Sequence, residues 1–327
     1  MTGLYPIKFK PIYLEKTWGG NRIKTLLNKD FGNLPNCGES WEISGVEGNI
    51  SVVENGFLAG NNLQELIEIY MGDLVGDKVF KKFGEEFPLL LKFIDAQQDL
   101  SIQVHPNDET SKKNHNAYGK TEMWYVLDAE NDALINCGFN RELDKQKYQD
   151  FLNSDKITEI LNYDKAVKGD VYFIPAGRIH TLGKGALVAE IQQTSDVTYR
   201  IFDYNRKDDK GNLRELHTEL ALESLDFSYL DNYKTEYRVV QNKSSEIISC
   251  KYFTTNILDF NTSIEKNYNQ LDSFIIYMSL DGDFEIEYQD GKVKVNKGET
   301  VLIPASLETF KLIPVSKEVK TLEVYIK

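Results

Sequence analysis

The nine residues Lys168-Gly-Asp-Val-Tyr-Phe-Ile-Pro-Ala176 occur a second time in the chain, as Lys297-Gly-Glu-Thr-Val-Leu-Ile-Pro-Ala305, without an insertion or deletion. Each copy contains a glycine turn followed by a short run rich in β-branched and aromatic residues that ends at a proline. Self-similarity of this kind indicates that one structural unit is repeated. The sequence therefore predicts two related β-rich units within 327 residues.

Most of the remaining pattern also favours strands. Short runs rich in aromatic and β-branched residues, bounded by Gly, Pro or Asp, predict strands at 8–13, 40–46, 89–94, 101–104, 122–127, 171–174, 187–192 and 198–203. Apolar residues spaced three and four apart predict helices at 63–70, 144–161 and 213–225. Asp281-Gly282, between two strand-like runs, predicts a hairpin.

The polar, irregular segment 226–236 is the predicted boundary between the two units. We therefore expect a first domain of residues 1–235, with the helical segments packed beside its barrel, and a second, smaller domain of residues 236–327. The fold class expected is mainly β.

Composition limits the classes of function. Hydrophobic residues make up 41% and charged residues 27%, which is typical of a soluble globular protein. A net charge of −13 argues against a nucleic-acid partner. The apolar run Phe87–Ile94 is interrupted by Lys92 and is too short to cross a bilayer. The first ten residues predict no signal peptide, and three widely spaced cysteines fit reduced thiols, so we expect a cytoplasmic protein without a membrane partner.

Polar side chains suited to a metal ion occur near three of the predicted strands. Gln103 and His105 are two residues apart on one strand and therefore share a face. Glu122 opens another strand, and His180 ends the pattern Gly169-x5-Pro175-x-Gly177-x2-His180. Two imidazoles, a carboxylate and an amide oxygen suit a divalent ion, with zinc the leading candidate. The alternative for any one histidine is an ordinary core or surface residue.

The chain has only four histidines, so the other two can be judged as well. His115 lies in the polar run Lys112-Lys-Asn-His-Asn116 and is predicted to be a solvated loop residue. His217 lies in a predicted helix and need not contact the site.

The pattern that ends at His180 resembles the second motif of the cupin superfamily, with Lys184 in place of the usual closing Asn. Gln103-x-His105 with a delayed Glu122 resembles type I mannose-6-phosphate isomerases, as do Lys120-Thr-Glu-Met-Trp-Tyr-Val-Leu127 and Thr198-Tyr-Arg-Ile-Phe-Asp-Tyr204. Lys16-Thr-Trp-Gly-Gly20 and Gly38-Glu-Ser-Trp-Glu-Ile-Ser44 are similar to the short bacterial members. The resemblance covers roughly residues 5–220 and implies two cupin-like jelly-roll barrels.

The resemblance also implies an activity and a set of residues. The expected activity is the metal-dependent interconversion of mannose 6-phosphate and fructose 6-phosphate, with one zinc ion per chain and a sugar phosphate as the partner molecule. The family's ligands map onto Gln103, His105, Glu122 and His180. Its active-site arginine and lysine map onto Arg200 and Lys120, and the matching places Lys92, Ser101, Trp18 and Glu42 in the substrate pocket.

Several roles stay open at this point. Arg200, Lys120 and Lys92 are the cations available for the phosphate or for the reacting sugar oxygens. For Arg200 the alternative is a structural ion pair with Asp196 or Asp203. The base that takes the C2 proton is a water on the metal, Glu42 or one of the lysines.

A gap-free extension of the repeat places Thr309 opposite His180, and the C-terminal region has no histidine. We therefore expect the C-terminal domain to be a degenerate packing partner without a metal. The competing functions are a metal-dependent cupin dioxygenase, because two histidines and a carboxylate also bind non-haem iron, and a non-catalytic sugar-binding cupin. The expected oligomeric state is a monomer or a homodimer.

Overall fold

The computed structural model describes residues 3–207 and 211–327. Strands account for 38% and helices for 16% of the chain, which confirms a mainly β fold. No helix in the described residues combines the length and the apolar character needed to span a lipid bilayer.

The elements that precede the predicted boundary are, in chain order, β1 (Ile7–Lys8), β2 (Ile12–Leu14), α1 (Arg22–Thr25), β3 (Glu39–Ile43), α2 (Leu63–Val75), α3 (Asp77–Phe83), β4 (Leu89–Asp95), β5 (Ile102–Val104), α4 (Asp108–His115), β6 (Glu122–Ala129), β7 (Leu134–Phe139), α5 (Lys145–Asn153), a 3-10 helix (Ile157–Ile160), β8 (Leu161–Lys165), β9 (Val171–Ile174), β10 (His180–Leu182), β11 (Ala186–Gln193), β12 (Tyr199–Phe202) and α6 (Thr218–Ser224).

The elements that follow the boundary are all strands, namely β13 (Ser244–Ser249), β14 (Thr254–Phe260), β15 (Ile264–Asn267), β16 (Ile275–Asp281), β17 (Phe284–Tyr288), β18 (Gly291–Val295), β19 (Thr300–Ile303), β20 (Thr309–Pro314) and β21 (Val319–Tyr325).

These strands form four sheets, two in each part of the chain. The first part has a six-stranded sheet in the order β2-β3-β4-β11-β6-β9 and a five-stranded sheet in the order β12-β5-β10-β7-β8. The second part has a six-stranded sheet, β1-β19-β16-β21-β14-β13, and a four-stranded sheet, β15-β20-β17-β18. Strand β1 thus joins the C-terminal sheet, although the sequence places it in the first domain.

Three apolar layers hold the sheets together. Residues such as Val126 and Leu182 fill the space between the two N-terminal sheets, and residues such as Tyr277 and Phe310 fill the space between the two C-terminal sheets. Between the two six-stranded sheets lies a further core in which the tilted rings of Phe87 and Phe274 are in contact, with centroids 4.8 Å apart. The two parts of the chain therefore pack back to back through their six-stranded sheets.

The sequence repeat occupies the same place in both six-stranded sheets. In the first sheet, Tyr172 of β9 pairs with Trp124 of β6. In the second, Val301 of β19, which is the repeat equivalent of Tyr172, pairs with Tyr277 of β16. Strands β6 and β16 are therefore equivalent by sheet register, which supports the prediction of two related units.

Some local predictions are wrong. Strands β16 and β17, on either side of Gly282, belong to different sheets, so the predicted hairpin is a corner between layers. Gly282 has φ +75°, and a Cβ there would lie 2.3 Å from the carbonyl oxygen of Glu318, which explains the need for glycine at this corner. The region 144–161 contains α5, a 3-10 turn and the start of β8, and only 218–224 is helical within 213–225.

Candidate metal centre

The four predicted ligands come from both sheets of the first pair. Gln103 lies on β5 and His105 directly follows that strand, while His180 opens β10 and pairs with Gln103 in the five-stranded sheet. Glu122 opens β6 in the six-stranded sheet. The side chains of His105, Glu122 and His180 are all buried.

The two imidazoles and the carboxylate converge on one point. The Nε2 atom of His180 lies 3.2 Å from Oε1 of Glu122, and the Nε2 atom of His105 lies 3.6 Å from Oε2 of the same carboxylate. One donor atom from each of the three residues lies within 4.8 Å of the others. Among the described residues, no other group of three His, Cys, Asp or Glu side chains has this geometry.

Backbone carbonyls fix the orientation of both imidazoles. The Nδ1 atom of His105 lies 2.9 Å from the carbonyl oxygen of Val197, and that of His180 lies 2.9 Å from the carbonyl oxygen of Arg178. Because a carbonyl oxygen only accepts, each Nδ1 carries the proton and each Nε2 presents a lone pair to the site. Metal-binding histidines are held in this way by hydrogen bonds from the opposite ring nitrogen.

The charge states also fit a bound cation. Burial lowers the pKa of His180 to about 4 and lowers the pKa of His105 well below its usual value, so both rings are neutral. Burial and the nearby Glu190 raise the pKa of Glu122 to about 7, and its Oε1 atom has no hydrogen-bond donor among the described residues. Two neutral imidazoles and a carboxylate with an unpaired oxygen are a ligand set that divalent zinc or iron accepts.

Gln103 is adjacent to this group. Its Nε2 atom lies 3.2 Å from Nε2 of His180, and its Oε1 accepts a hydrogen bond of 3.3 Å from the hydroxyl of Ser101. The amide oxygen thus faces Ser101 in this rotamer. A half-turn of the amide would exchange the two atoms, so the metal-binding role of Gln103 remains a prediction.

A row of buried charges extends from the ligands into the six-stranded sheet. The Nζ atom of Lys120 lies 2.7 Å from Oε2 of Glu122 and 4.0 Å from Oε1 of Glu190. The same Glu190 oxygen lies 3.2 Å from Nζ of Lys92, which is in turn 3.6 Å from Oε2 of Glu39. Lysines and carboxylates therefore alternate beside the site, and each buried charge has a neighbour of opposite sign.

Glu190 and Glu39 are members of this row that the sequence analysis missed. Glu190 lies directly between Lys92 and Trp124 in the sheet register, and its Oε2 accepts a 2.6 Å hydrogen bond from the Trp124 indole. A carboxylate inside the buried strand Ala186–Gln193 is as unusual as Lys92 inside β4. The sequence signal for both residues was therefore a charged side chain within an otherwise apolar run.

Arg200 lies on the neighbouring strand β12, directly opposite Gln103 of β5. Paired residues of adjacent strands project to the same face, so the guanidinium lies on the side of the sheet that carries Gln103. Its Nη1 donates to the carbonyl oxygen of Glu215 at 2.7 Å, and its buried Nε has no partner among the described residues.

The alternative ion pair for Arg200 is not formed. Asp203 is engaged by Arg206 and Arg214 instead, and within the described ranges no ion pair of 4.0 Å or less involves Arg200. Burial and the neighbouring Arg214 lower the pKa of Arg200. A guanidinium without an ion-pair partner within 4.0 Å among the described residues is available to an anionic ligand.

The other residues that were predicted to line the substrate pocket lie at different positions in the fold. Ser101 is buried beside Gln103, and Trp18 packs in the apolar core that contains Trp124. Glu42 is not brought to the site: its carboxylate lies 2.9 Å from Nζ of Lys29 and accepts a hydrogen bond from Ser40. Ser40 pairs with Phe93, on the face of the sheet opposite Lys92, so Glu42 faces away from the metal ligands.

The two remaining histidines also differ from expectation. His115 ends helix α4 and lies 2.8 Å from the hydroxyl of Tyr199, so the predicted loop is wrong, although the side chain is exposed. His217 precedes α6, and its Nδ1 accepts a hydrogen bond from the backbone of Arg200. It therefore supports the strand that carries Arg200.

Packed β-sheets around a buried group of two imidazoles and one carboxylate that could hold a metal ion are the features of the cupin class. Residues 7–135 match the catalytic domain of type I phosphomannose isomerases, and residues 243–316 match the cupin domain of mannose-6-phosphate isomerases. The sequence is 35% identical to the mannose-6-phosphate isomerase ManA of Bacillus subtilis over 316 residues, which cover 94% of this chain and 95% of that protein. The chain belongs to the type I phosphomannose isomerase family.

Two further similarities agree with this membership. The mannose-6-phosphate isomerase of Streptococcus mutans is 30% identical over 310 residues, covering 92% of this chain and 94% of that protein. The crystal structure of the Bacillus subtilis mannose 6-phosphate isomerase matches with a TM-score of 0.87 and 32% identity, covering 98% of this chain and 99% of that one.

Replacement of His180 by alanine tests the ligand set. We expect His180→Ala to lose bound metal because it removes one of three converging donors. Elemental analysis of the purified variant, after dialysis against metal-free buffer, measures this directly. His115→Ala is the matched control, since His115 is exposed and outside the group, and it should keep the metal content of the parent chain. Full metal content in His180→Ala would exclude His180 from the ligands.

Proposed function

We propose that this protein interconverts mannose 6-phosphate and fructose 6-phosphate with one zinc ion per chain, bound by His105, Glu122, His180 and Gln103. Family membership supports the reaction, since the relatives named above are mannose-6-phosphate isomerases. The single observation that carries the metal site is the convergence of two imidazole lone pairs and a buried carboxylate. Zinc suits a reaction that transfers no electrons to the protein.

The reaction moves a proton between C1 and C2 of the sugar and passes through an enediol. Negative charge develops on the sugar oxygens when the C–H bond ionises, and a divalent ion held by these ligands would stabilise that charge as a Lewis acid. Lys120 is buried beside the ligands, with its Nζ atom 2.7 Å from Oε2 of Glu122. A preorganised cation is more effective there than in water.

The three cations Lys120, Arg200 and Lys92 have different roles in this proposal. Lys120 and Arg200 act on the reacting end or on the phosphate of the substrate, and Lys92 lines the pocket with Ser101 and Trp18. Burial lowers the pKa of Lys92, but Glu190 and Glu39 outweigh it and raise the pKa above its ordinary value, so the ammonium is always charged. Arg200 is the only one of the three without a carboxylate partner in the described residues, which favours it for the dianionic phosphate.

We propose Glu190 as the carboxylate that accepts the substrate proton. Burial raises its pKa, but Lys120 and Lys92 lower it below the ordinary value, so it is ionised and able to accept. Glu122 is committed to the metal, and Glu39 is held by the Trp41 indole at 2.7 Å and by Lys16 at 3.2 Å. Glu42, the earlier candidate, is on the opposite face of the sheet.

The finer description of the fold is also a proposal. The two pairs of packed sheets support two jelly-roll barrels, with domains of residues 1–235 and 236–327 apart from the exchanged strand β1. In the second barrel Ile275 pairs with Ile303, the repeat equivalent of Ile174, and so stands where Glu122 stands in the first. Thr309 is exposed and its neighbour Phe310 fills the interior. These residues support a C-terminal barrel that binds no metal.

The proposal also includes a cellular location and a state of assembly. Three unpaired cysteines and relatives that are metabolic enzymes support a cytoplasmic location. A monomer or a homodimer remains the predicted state. A dioxygenase or a non-catalytic sugar-binding cupin is disfavoured by the similarity to isomerases over nearly the whole chain.

A coupled isomerase assay on mannose 6-phosphate tests the proposed function. We expect the purified chain to form fructose 6-phosphate without oxygen, to lose that activity on chelation, and to regain it when zinc is added, because the ion is needed to stabilise the charge on the sugar oxygens. The control is a sample of the same chain that goes through the chelation step and receives equimolar zinc before the assay. Oxygen uptake that depends on iron, or binding of the sugar without turnover, would contradict the proposal.

A pair of isosteric variants tests the assignment of the base. Glu190→Gln removes the proton acceptor while keeping shape, so kcat should fall by about 100-fold or more. Glu42→Gln is the matched control and should leave kcat within a few-fold of the parent when rates are normalised to folded protein. A larger loss in Glu42→Gln than in Glu190→Gln would reverse the assignment.

A further inference from the structure

A hydrogen-bonded link joins the C-terminal domain to the segment that carries the metal ligand Glu122. Tyr252 lies between β13 and β14, at the end of the C-terminal sheet. Its hydroxyl donates to Oδ2 of Asp108, in the first turn of α4, at 2.8 Å. The neighbouring Lys251, which is mostly exposed, reaches the same oxygen at 3.4 Å. Asp108 is thus the acceptor for contacts from the other part of the chain.

The second carboxylate oxygen of Asp108 faces the catalytic part. Its Oδ1 accepts hydrogen bonds from Nε2 of Gln193 at 2.9 Å and from the backbone N–H of Gly119 at 3.1 Å. Gln193 is the last residue of β11, three positions beyond Glu190. One carboxylate therefore ties together the C-terminal domain, the end of β11 and the residue that precedes Lys120.

Gln193 continues the link to the site. Its Oε1 accepts the backbone N–H of Thr121 at 2.8 Å, and its own N–H donates to the Thr121 carbonyl at 3.1 Å. Gln193 and Thr121 are both buried. Thr121 lies between Lys120 and Glu122, so a shift of this peptide moves both side chains. The path from Tyr252 to the reacting groups is therefore three side chains long.

Close packing makes this link stiff. A Cβ on Gly119 would lie 2.5 Å from backbone atoms of Asn107 and Asp108, so the chain before Lys120 rests directly on the start of α4. Ser111 of α4 donates to the carbonyl of Tyr118 at 2.7 Å, and the N–H of Lys120 donates to the carbonyl of Pro106 at 3.0 Å. A displacement of α4 is thereby passed on to Lys120.

We propose that the C-terminal domain sets the position of Lys120 and Glu122 through Tyr252, Asp108 and Gln193, which are positioning residues for the reaction. This gives the second barrel a role that does not need a ligand of its own. The inference rests on the proposed isomerase function. The activity of the parent chain tests that function separately, before any variant is compared with it.

Isosteric variants test the link. Tyr252→Phe removes the hydroxyl, and Asp108→Asn weakens the same contact by replacing the charged acceptor with a neutral amide, while keeping an oxygen for Gln193 and Gly119. We expect each to lower kcat roughly threefold to tenfold, with metal content and thermal midpoint close to those of the parent. Because both variants act on the same contact, the double variant should be no slower than the slower single variant.

Tyr237→Phe is the matched control. Tyr237 directly follows the predicted boundary segment 226–236, and its hydroxyl donates to the carbonyl of Gly169 at 2.6 Å, outside the link to Thr121. It should leave kcat at the parent value. An unchanged kcat in Tyr252→Phe, with or without a lower thermal midpoint, would overturn the inference. So would additive losses in the double variant, or an equal loss of kcat in Tyr237→Phe.

Discussion

Two unprotonated imidazole nitrogens and one carboxylate face each other inside the first pair of sheets, and positive charge close to them is needed to offset the cost of burying that carboxylate. The Nδ1 atoms of His105 and His180 donate to the carbonyls of Val197 and Arg178, and Oε1 of Glu122 has no hydrogen-bond donor among the described residues. Lys120 supplies part of the missing positive charge to the other carboxylate oxygen. Lys120 also lies 3.1 Å from Nε2 of His105, and the amide nitrogen of Gln103 lies 3.2 Å from Nε2 of His180, so these side chains meet the lone pairs that could instead bind a metal ion.

The charges next to the ligands follow from the same constraint. A lysine buried in an apolar strand is costly unless a carboxylate accompanies it, and Lys92 lies directly opposite Glu190 in the sheet. Glu190 is also held by the Trp124 indole, so its carboxylate has a defined position between two ammonium groups. Arg200 is the exception, because its guanidinium has no carboxylate partner in the described residues. In the proposed function, the phosphate dianion of the substrate pairs with this guanidinium.

The sequence was sufficient to find His105, Glu122 and His180, because histidines are rare in this chain and the spacing of each motif defines which way its side chain points. It was not sufficient for Glu190 or Glu39, since their significance depends on strand pairing between distant segments. Glu42 was predicted in the pocket but faces away from it. The pairing of β3 with β4 is irregular between Trp41 and Ile43, and a one-residue change of register moves a side chain to the other face.

The errors in the prediction of the fold have similar causes. Asp281-Gly282 has the composition of a hairpin turn, yet packing of the apolar faces sends β16 and β17 into different sheets. Helix α4 is too polar to show an apolar period, and it is stabilised by the side chain of Asn107 at its N-terminus and by packing against Gly119. Strand β1 pairs with β19 across the predicted domain boundary. The free edge of β19 exists only after the C-terminal sheet has folded. Local pattern carries no information on such long-range contacts.

We expect one metal ion to be bound by these imidazoles and this carboxylate. X-ray absorption spectroscopy at the zinc edge of the zinc-loaded chain tests it most directly, because the first shell and the imidazole scattering are both measured. The account predicts a shell of nitrogen and oxygen atoms only, with the scattering of two imidazole rings. A sulfur ligand, or fewer than two imidazoles, would contradict it.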